Sequence, residues 1–110
     1  MAAFAACNQL DGLVRFVPAG VNLSDAQVVD VRTAREVQSE PIPAARHALH
    51  IPMDQLRERL GELDASRPTV VVCRTGQRSY VAARLMRQRG FVDVASLSGG
   101  VKLRVAALAG

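Results

Sequence analysis

The run Thr69-Val70-Val71-Val72 carries no polar alternation, ends in Cys73, and passes through Arg74-Thr75-Gly76-Gln77-Arg78 into a helical pattern from Ser79 to Arg89. A strand that is apolar towards both faces has to be covered on both sides. A helix that follows it directly has to pack back onto the sheet. The combination points to a mainly parallel α/β sheet and away from a half-solvated hairpin sheet. The cysteine at the junction adds a chemical constraint. Amides of a tight turn and of a first helical turn point inward, and two arginines stand beside it, so an anionic sulfur is favoured there. Such a thiol is expected to ionise below the value of about 8.5 for a free cysteine.

The rest of the chain repeats the strand–helix alternation. Residues 1–26 read as a leader or linker, with a short edge strand at Leu13-Val14-Arg15-Phe16-Val17 stopped by Pro18-Ala19-Gly20. Residues 27–110 read as the folded domain. Gln27 to Val31 is a strand, and Thr33 N-caps a short helix over residues 33–37. Pro41 and Pro43 impose an irregular passage, and Ala48 to Ile51 is a short strand ended by Pro52. Asp54 is expected to cap a helix that buries Leu56, Leu60 and Leu63. The helix after Cys73 is expected to bury Val81, Ala82, Leu85 and Met86, to expose Arg84, Arg87 and Gln88, and to stop at Gly90. Val92 to Leu97 is a last strand, Gly99-Gly100 a turn, and residues 101–108 a closing helix. In such sheets ligands sit beyond the carboxyl ends of the strands, where both Asp30-Val31-Arg32 and Cys73-Arg74 fall.

Size and composition narrow the function. The 110 residues make one domain, and 49% apolar with 22% charged residues is ordinary for a soluble protein. No segment approaches the roughly 18 apolar residues of a membrane span, and Met1 to Leu10 lacks the basic start of a secretory signal. Cys7 and Cys73 are too few for a disulfide framework, so a reducing cytoplasm and an exposed, reactive thiol are expected. The net charge is +4, and Lys102 is the one lysine among 14 basic residues. That balance suits small anions near Cys73. With one tyrosine, no tryptophan and no long basic run, nucleic-acid binding is not expected.

The chain resembles a rhodanese domain, the sulfurtransferase module, from about Val28 to Val101. Asp30-Val31-Arg32 with Glu36 is similar to the family's D-V-R-x-x-x-E, and Ile51-Pro52 before an amphipathic helix to its N-I-P segment. Cys73 to Ser79 resembles its active-site loop C-R-x-G-x-R-S, and Leu97-Ser98-Gly99-Gly100 its L-x-G-G. The segment Glu40 to Ala45 and the three residues Arg46-His47-Ala48 depart from the family's G-H-I-P-G-A, and His50 stands where asparagine is common. Residues 2–12 and Tyr80 to Arg84 further resemble the C-terminal rhodanese domain of a flavin-dependent disulfide reductase, including coenzyme A disulfide reductase fusions. An independent single-domain protein is the alternative.

The resemblance implies a five-stranded sheet with helices on both faces and sulfur transfer through Cys73. As a thiolate, Cys73 takes a sulfane sulfur from a small anionic donor, thiosulfate or a persulfide, and passes it from a cysteine persulfide to a thiol or protein cysteine. No metal and no organic cofactor is expected. Arg78 and Arg74 are candidates for the donor's negative charge. Gly76 is expected at positive φ or in close approach to the ligand, Thr75 and Gln77 to lend amides, and Ser79 to cap the helix. Asp30 is expected to be tied up by other groups, and Arg32 and Glu36 to pair with each other. His47 and His50 read as surface or strand-end residues, and Cys7 as a leader residue. Two rivals stand beside this. A rhodanese-like phosphatase needs C-x5-R, whereas Cys73 and Arg78 have four residues between them. A non-catalytic regulatory module usually lacks the cysteine.

Overall fold

The computed structural model describes residues 14–45 and 47–109. The expectations for residues 1–13, including Cys7 and the likeness of residues 2–12 to a linker, and for Arg46 lie outside them. Five strands form one sheet: β1 (Arg15–Val17), β2 (Gln27–Asp30), β3 (Leu49–His50), β4 (Thr69–Val72) and β5 (Val94–Leu97). Their spatial order is β1-β5-β4-β2-β3, and every pairing is parallel. The expected edge strand is β1, beside β5. The helices are α1 (Ala34–Ser39), α2 (Leu56–Arg59), flanked by single 3₁₀ turns, α3 (Gln77–Gln88) and α4 (Gly100–Ala109).

The period-two alternation of the strands divides the core between two faces. Val29, Val71 and Val94 meet Leu56 of α2 and Ala82, Ala83 and Met86 of α3. Val28, Val70, Val72, Ala95 and Leu97 meet Val101 of α4 with Leu23 and Ile42. Covering both faces is what the continuous apolar runs require, and each fully buried valine contributes about 1.5–3 kcal/mol. Arg104 is also buried, at 1% exposure. Its guanidinium donates to the carbonyls of Pro43, Ala19 and Val21 at 2.8, 2.9 and 2.7 Å, tying α4 to the loops after β1 and before β3.

Three local expectations are corrected. Pro52 starts a 3₁₀ turn at Met53, so Asp54 falls inside it and caps nothing; Gln55 precedes α2 without a side-chain cap. The helix α3 begins at Gln77, two residues early, and its buried stripe is Ser79, Ala82, Ala83 and Met86. That rotation leaves Val81 exposed, while Leu85 and Arg87 are half-buried. The last strand begins at Val94, and Val92 is exposed.

Candidate active site

The carboxyl ends of β2 and β4 lie side by side, with Asp30 in register with Val72. The chain leaves β4 at Cys73 and must reverse into α3 within four residues. Gly76 makes this turn at φ +106 and ψ −13, a left-handed conformation that only glycine adopts without strain. The spot is crowded as well, because a Cβ on Gly76 would lie 3.3 Å from the Gly99 amide nitrogen. The expected positive φ therefore holds at this position, and the close neighbour is the Gly99 backbone.

The loop's carbonyls are drawn away from the sulfur. Val101 N–H donates to the Cys73 carbonyl at 2.9 Å and Lys102 N–H to the Arg74 carbonyl at 3.1 Å. These amides belong to the first turn of α4, where helical partners are lacking. Gly100 allows the approach: a Cβ there would sit 2.4 Å from the Cys73 carbonyl oxygen. The motif Leu97-Ser98-Gly99-Gly100 thus acts as a clamp on the loop, a role that residue-type reasoning misses although the motif is visible.

With the carbonyls held from behind, the amides turn inward. Gly76 N–H donates to Cys73 Sγ at 3.0 Å. Ser79 Oγ lies 3.5 Å from the sulfur. Burial pushes the Cys73 thiol up, but the Ser79 hydroxyl and the amides of Ser79, Gly76 and Thr75 together bring it below its ordinary value. Gln77 is not among these donors. Nor does Ser79 cap the helix; it sits in the first turn of α3, where its hydroxyl meets the Gly76 carbonyl at 3.1 Å and the Ser96 hydroxyl at 2.7 Å. Ser96, buried on β5, gives no signal in the sequence.

The expectation of an exposed thiol is not met. Cys73 has 0% exposure, because the loop folds over the sulfur and α4 holds it there. Arg74, Thr75 and Gln77 form the outer surface of that loop, and Gly76 and Arg78 are half-buried.

The charged groups around the loop are sorted differently from the expected Arg32–Glu36 pair. Asp30 is tied up, by Arg32: Arg32 Nε donates to Asp30 Oδ1 at 3.0 Å and Arg32 Nη2 to Asp30 Oδ2 at 2.8 Å, both residues being buried. Arg32 lies before α1, so helical i,i+4 spacing does not apply to it. Its Nη1 donates to the backbone carbonyls of Glu40 at 2.6 Å and Glu36 at 3.4 Å, and not to the Glu36 carboxylate. Glu36 forms a capping box with Thr33, the expected N-cap, which aims its carboxylate at the neighbouring loop. There Arg78 binds it bidentately, both bonds at 2.8 Å. The Arg78 guanidinium, followed by the Thr33 amide, holds the Glu36 carboxyl down to about 2. His50 Nε2 donates to the Arg32 carbonyl at 2.7 Å, and His47 is exposed on the loop before β3. Among the described residues no group of three or more His, Cys, Asp or Glu side chains is placed to hold a metal. Among them, too, no helix is long and apolar enough to cross a membrane.

The arrangement offers one buried sulfur, inward amides and a guanidinium already engaged by a carboxylate. It can stabilise a negative charge on sulfur and on an atom bonded to it.

Known proteins match this architecture. The model of the rhodanese-like domain family matches residues 18–106. A sulfurtransferase of Allochromatium vinosum is 38% identical over 77 residues, covering 70% of this chain and 69% of its own. The structure of reduced CoADR-RHD from Bacillus anthracis superposes with a TM-score of 0.77 at 32% identity, covering 99% of this chain and 20% of that one. An NAD-dependent persulfide reductase from A. fulgidus gives 0.69 at 37% identity, covering 89% of this chain and 17% of that one. The chain therefore spans about one-fifth of the length of these two solved proteins.

Proposed function

The chain belongs to the rhodanese-like domain family, and on that premise we propose that it is a sulfurtransferase that carries a sulfane sulfur on Cys73. The observation that supports this most directly is the Gly76 amide 3.0 Å from Cys73 Sγ, beneath a loop whose carbonyls are bound elsewhere. A thiol set among amide donors suits a thiolate, and the same donors suit the terminal sulfur of a persulfide.

In the first half-reaction the Cys73 thiolate attacks the outer sulfur of the donor. A bond forms between the two sulfurs, the donor's own bond to that sulfur breaks, and the remainder leaves with the electron pair. Thiosulfate would release sulfite, and a persulfide would release a thiolate. In the second half-reaction a thiol or protein cysteine attacks the terminal sulfur, and Cys73 leaves as thiolate. No net oxidation accompanies the exchange. Arg74 lends positive potential at the mouth. Arg78 does the same while bound to Glu36, so it positions the loop as well as attracting an anion.

The complete burial of Cys73 makes access part of the mechanism. Residues 74–77 have to move outward before a donor reaches the sulfur. Within a larger reductase, such as the two solved relatives, the donor would be a persulfide of coenzyme A or of a protein thiol. As an independent domain the chain would suit thiosulfate.

The test is to mix the protein with thiosulfate, or with a low-molecular-weight persulfide, and to map sulfur by mass spectrometry. The expected result is one added sulfur atom on the peptide that carries Cys73, absent in Cys73→Ser. Labelling confined to Cys7, or equal turnover by Cys73→Ser, would overturn the reading. The faster donor then separates the two contexts.

A further inference from the structure

We infer that Ser96 is a positioning residue for Cys73: it orients the Ser79 hydroxyl so that the Ser79 proton is available to the sulfur. The inference rests on Cys73 being the sulfur carrier, and extends that reading to what controls its ionisation.

Ser96 lies on β5, flanked by the edge strand β1 and the central strand β4, in register with Phe16 and Val71. It has no exposed surface. The layer between this face and α3 is otherwise built from Val29, Val71, Val94, Ala82, Ala83 and Met86. A hydroxyl adds nothing to such packing and has to find a partner. Among the described residues its one partner is Ser79 Oγ, at 2.7 Å.

Counting protons fixes the direction of that bond. Ser79 Oγ meets three groups: Ser96 Oγ at 2.7 Å, the Gly76 carbonyl at 3.1 Å and Cys73 Sγ at 3.5 Å. The carbonyl only accepts. If Ser79 donated to Ser96, the Ser96 proton would be left buried without an acceptor. Ser96 therefore donates to Ser79; with a neutral thiol Cys73 Sγ donates to Ser79 Oγ and the Ser79 proton goes to the Gly76 carbonyl, and with a thiolate that proton is shared between the carbonyl and the sulfur. Two consequences push the thiol in the same direction. A hydroxyl that accepts a short hydrogen bond becomes a stronger donor to an anion. In addition, the Ser79 oxygen is then less free to accept a proton from a neutral thiol, a bond that would favour the uncharged form.

Other charged and titratable groups on the loop and on the elements of the fold keep their own partners when Ser96 is replaced. They are Arg74 on the loop, Arg78 of α3 with its partner Glu36 of α1, the Asp30–Arg32 pair after β2, His50 of β3, and Lys102 and Arg104 of α4. On β1 and beside β5, Arg15 and Asp93 pair with each other at the surface. None of these makes a bond to Ser96, so replacing Ser96 isolates its own effect.

The experiment follows the ultraviolet absorbance of the thiolate against pH in a Cys7→Ser background, with Cys73→Ser as the blank. Absorbance needs no reagent to enter the closed loop. Ser96→Ala is expected to move the midpoint up by about half to one pH unit, and Ser96→Thr, which keeps the hydroxyl, to restore it. In a Ser79→Ala background Ser96→Ala should cause no further shift, because the connecting hydroxyl is gone. A depressed midpoint in the parent with no change in Ser96→Ala, or a shift that persists without Ser79, would overturn the role of Ser96 and leave Cys73 as carrier. A parent thiol that titrates like a free cysteine would overturn both.

Discussion

Two adjacent strand ends in this molecule are built to one plan and put to opposite uses. After β2 and after β4 the chain makes a short polar turn and enters a helix. At the end of β2 the strong groups are engaged in holding the turn, and one of them, Glu36, also reaches Arg78 of α3. Asp30 and Arg32 neutralise each other out of water, and Thr33 and Glu36 satisfy the first amides of α1. At the end of β4 the first turn of α3 has no side-chain cap. The amides of Thr75 and Gly76 before it, and of Ser79 within it, converge on a sulfur atom. The lesson is one of accounting: a turn whose donors and charges are spent on each other is scaffold, and a turn that leaves donors facing one polarisable atom is a place for chemistry. The Glu36–Arg78 pair fastens the first turn to the second.

The largest expected effect separates the two ends. Asp30→Ala leaves the Arg32 guanidinium, 1% exposed, without a counter-ion. Removing one partner of such a buried pair costs about 3–5 kcal/mol. Urea unfolding should show a loss of that order. Cys73→Ser should move the same midpoint far less while abolishing sulfur loading. If Asp30→Ala unfolded within about 1 kcal/mol of the parent, the β2 turn would not be the structural end described here.

A smaller effect on stability and a larger one on activity are expected from Gly100→Ala. The residue sits at φ +63, where a side chain costs roughly 1–2 kcal/mol, and its new Cβ would collide with backbone atoms of Cys73 and Arg74. Backbone cannot swing aside as a side chain does, so the loop must shift. A displacement of about 1 Å at a reacting group can cost on the order of a hundredfold in rate. Sulfur loading should fall by that order, with the Cys73 ionisation midpoint raised. An active variant with the parent's midpoint would show that the α4 clamp does not set the amides.

Much of this contrast is legible in the sequence, and the gaps have a common cause. Continuous apolar runs such as Thr69 to Val72 reveal buried parallel strands, because burial on both faces removes alternation. Cys73, Gly76 and the Gly99-Gly100 pair are visible because a tight strand-to-helix turn restricts residue type. Strand order is not legible, since it depends on which strands meet across the sheet. The same holds for Glu36 and Arg78, 42 residues apart. Spacing along a helix suggests the local Arg32–Glu36 pair, but Arg32 stands outside α1. Ser96 looks like any strand serine until Ser79 lies opposite it. The closed sulfur is hidden for a similar reason: the turn is closed by amides from α4, a segment nearly 30 residues away.

The smallest effect tests whether the two ends work as one unit. The Glu36 carboxyl is held at about 2, against an ordinary 4.5, chiefly by Arg78. A carboxyl with a depressed value in the folded state favours folding most fully above its unfolded value. That contribution declines as pH falls from about 4.5 and is gone below about 2. The pair is partly solvated, with Arg78 38% and Glu36 25% exposed, so its worth stays near 1 kcal/mol. The stability difference between the parent and Glu36→Gln should therefore be about that size at pH 6 and vanish towards pH 2. If the latch matters to the site, Glu36→Gln should also slow sulfur loading at neutral pH by more than its small stability cost accounts for, since Arg78 loses its anchor while the fold persists. A pH-independent difference would mean that the Glu36 charge adds nothing through Arg78, and that the two strand ends are neighbours without being coupled.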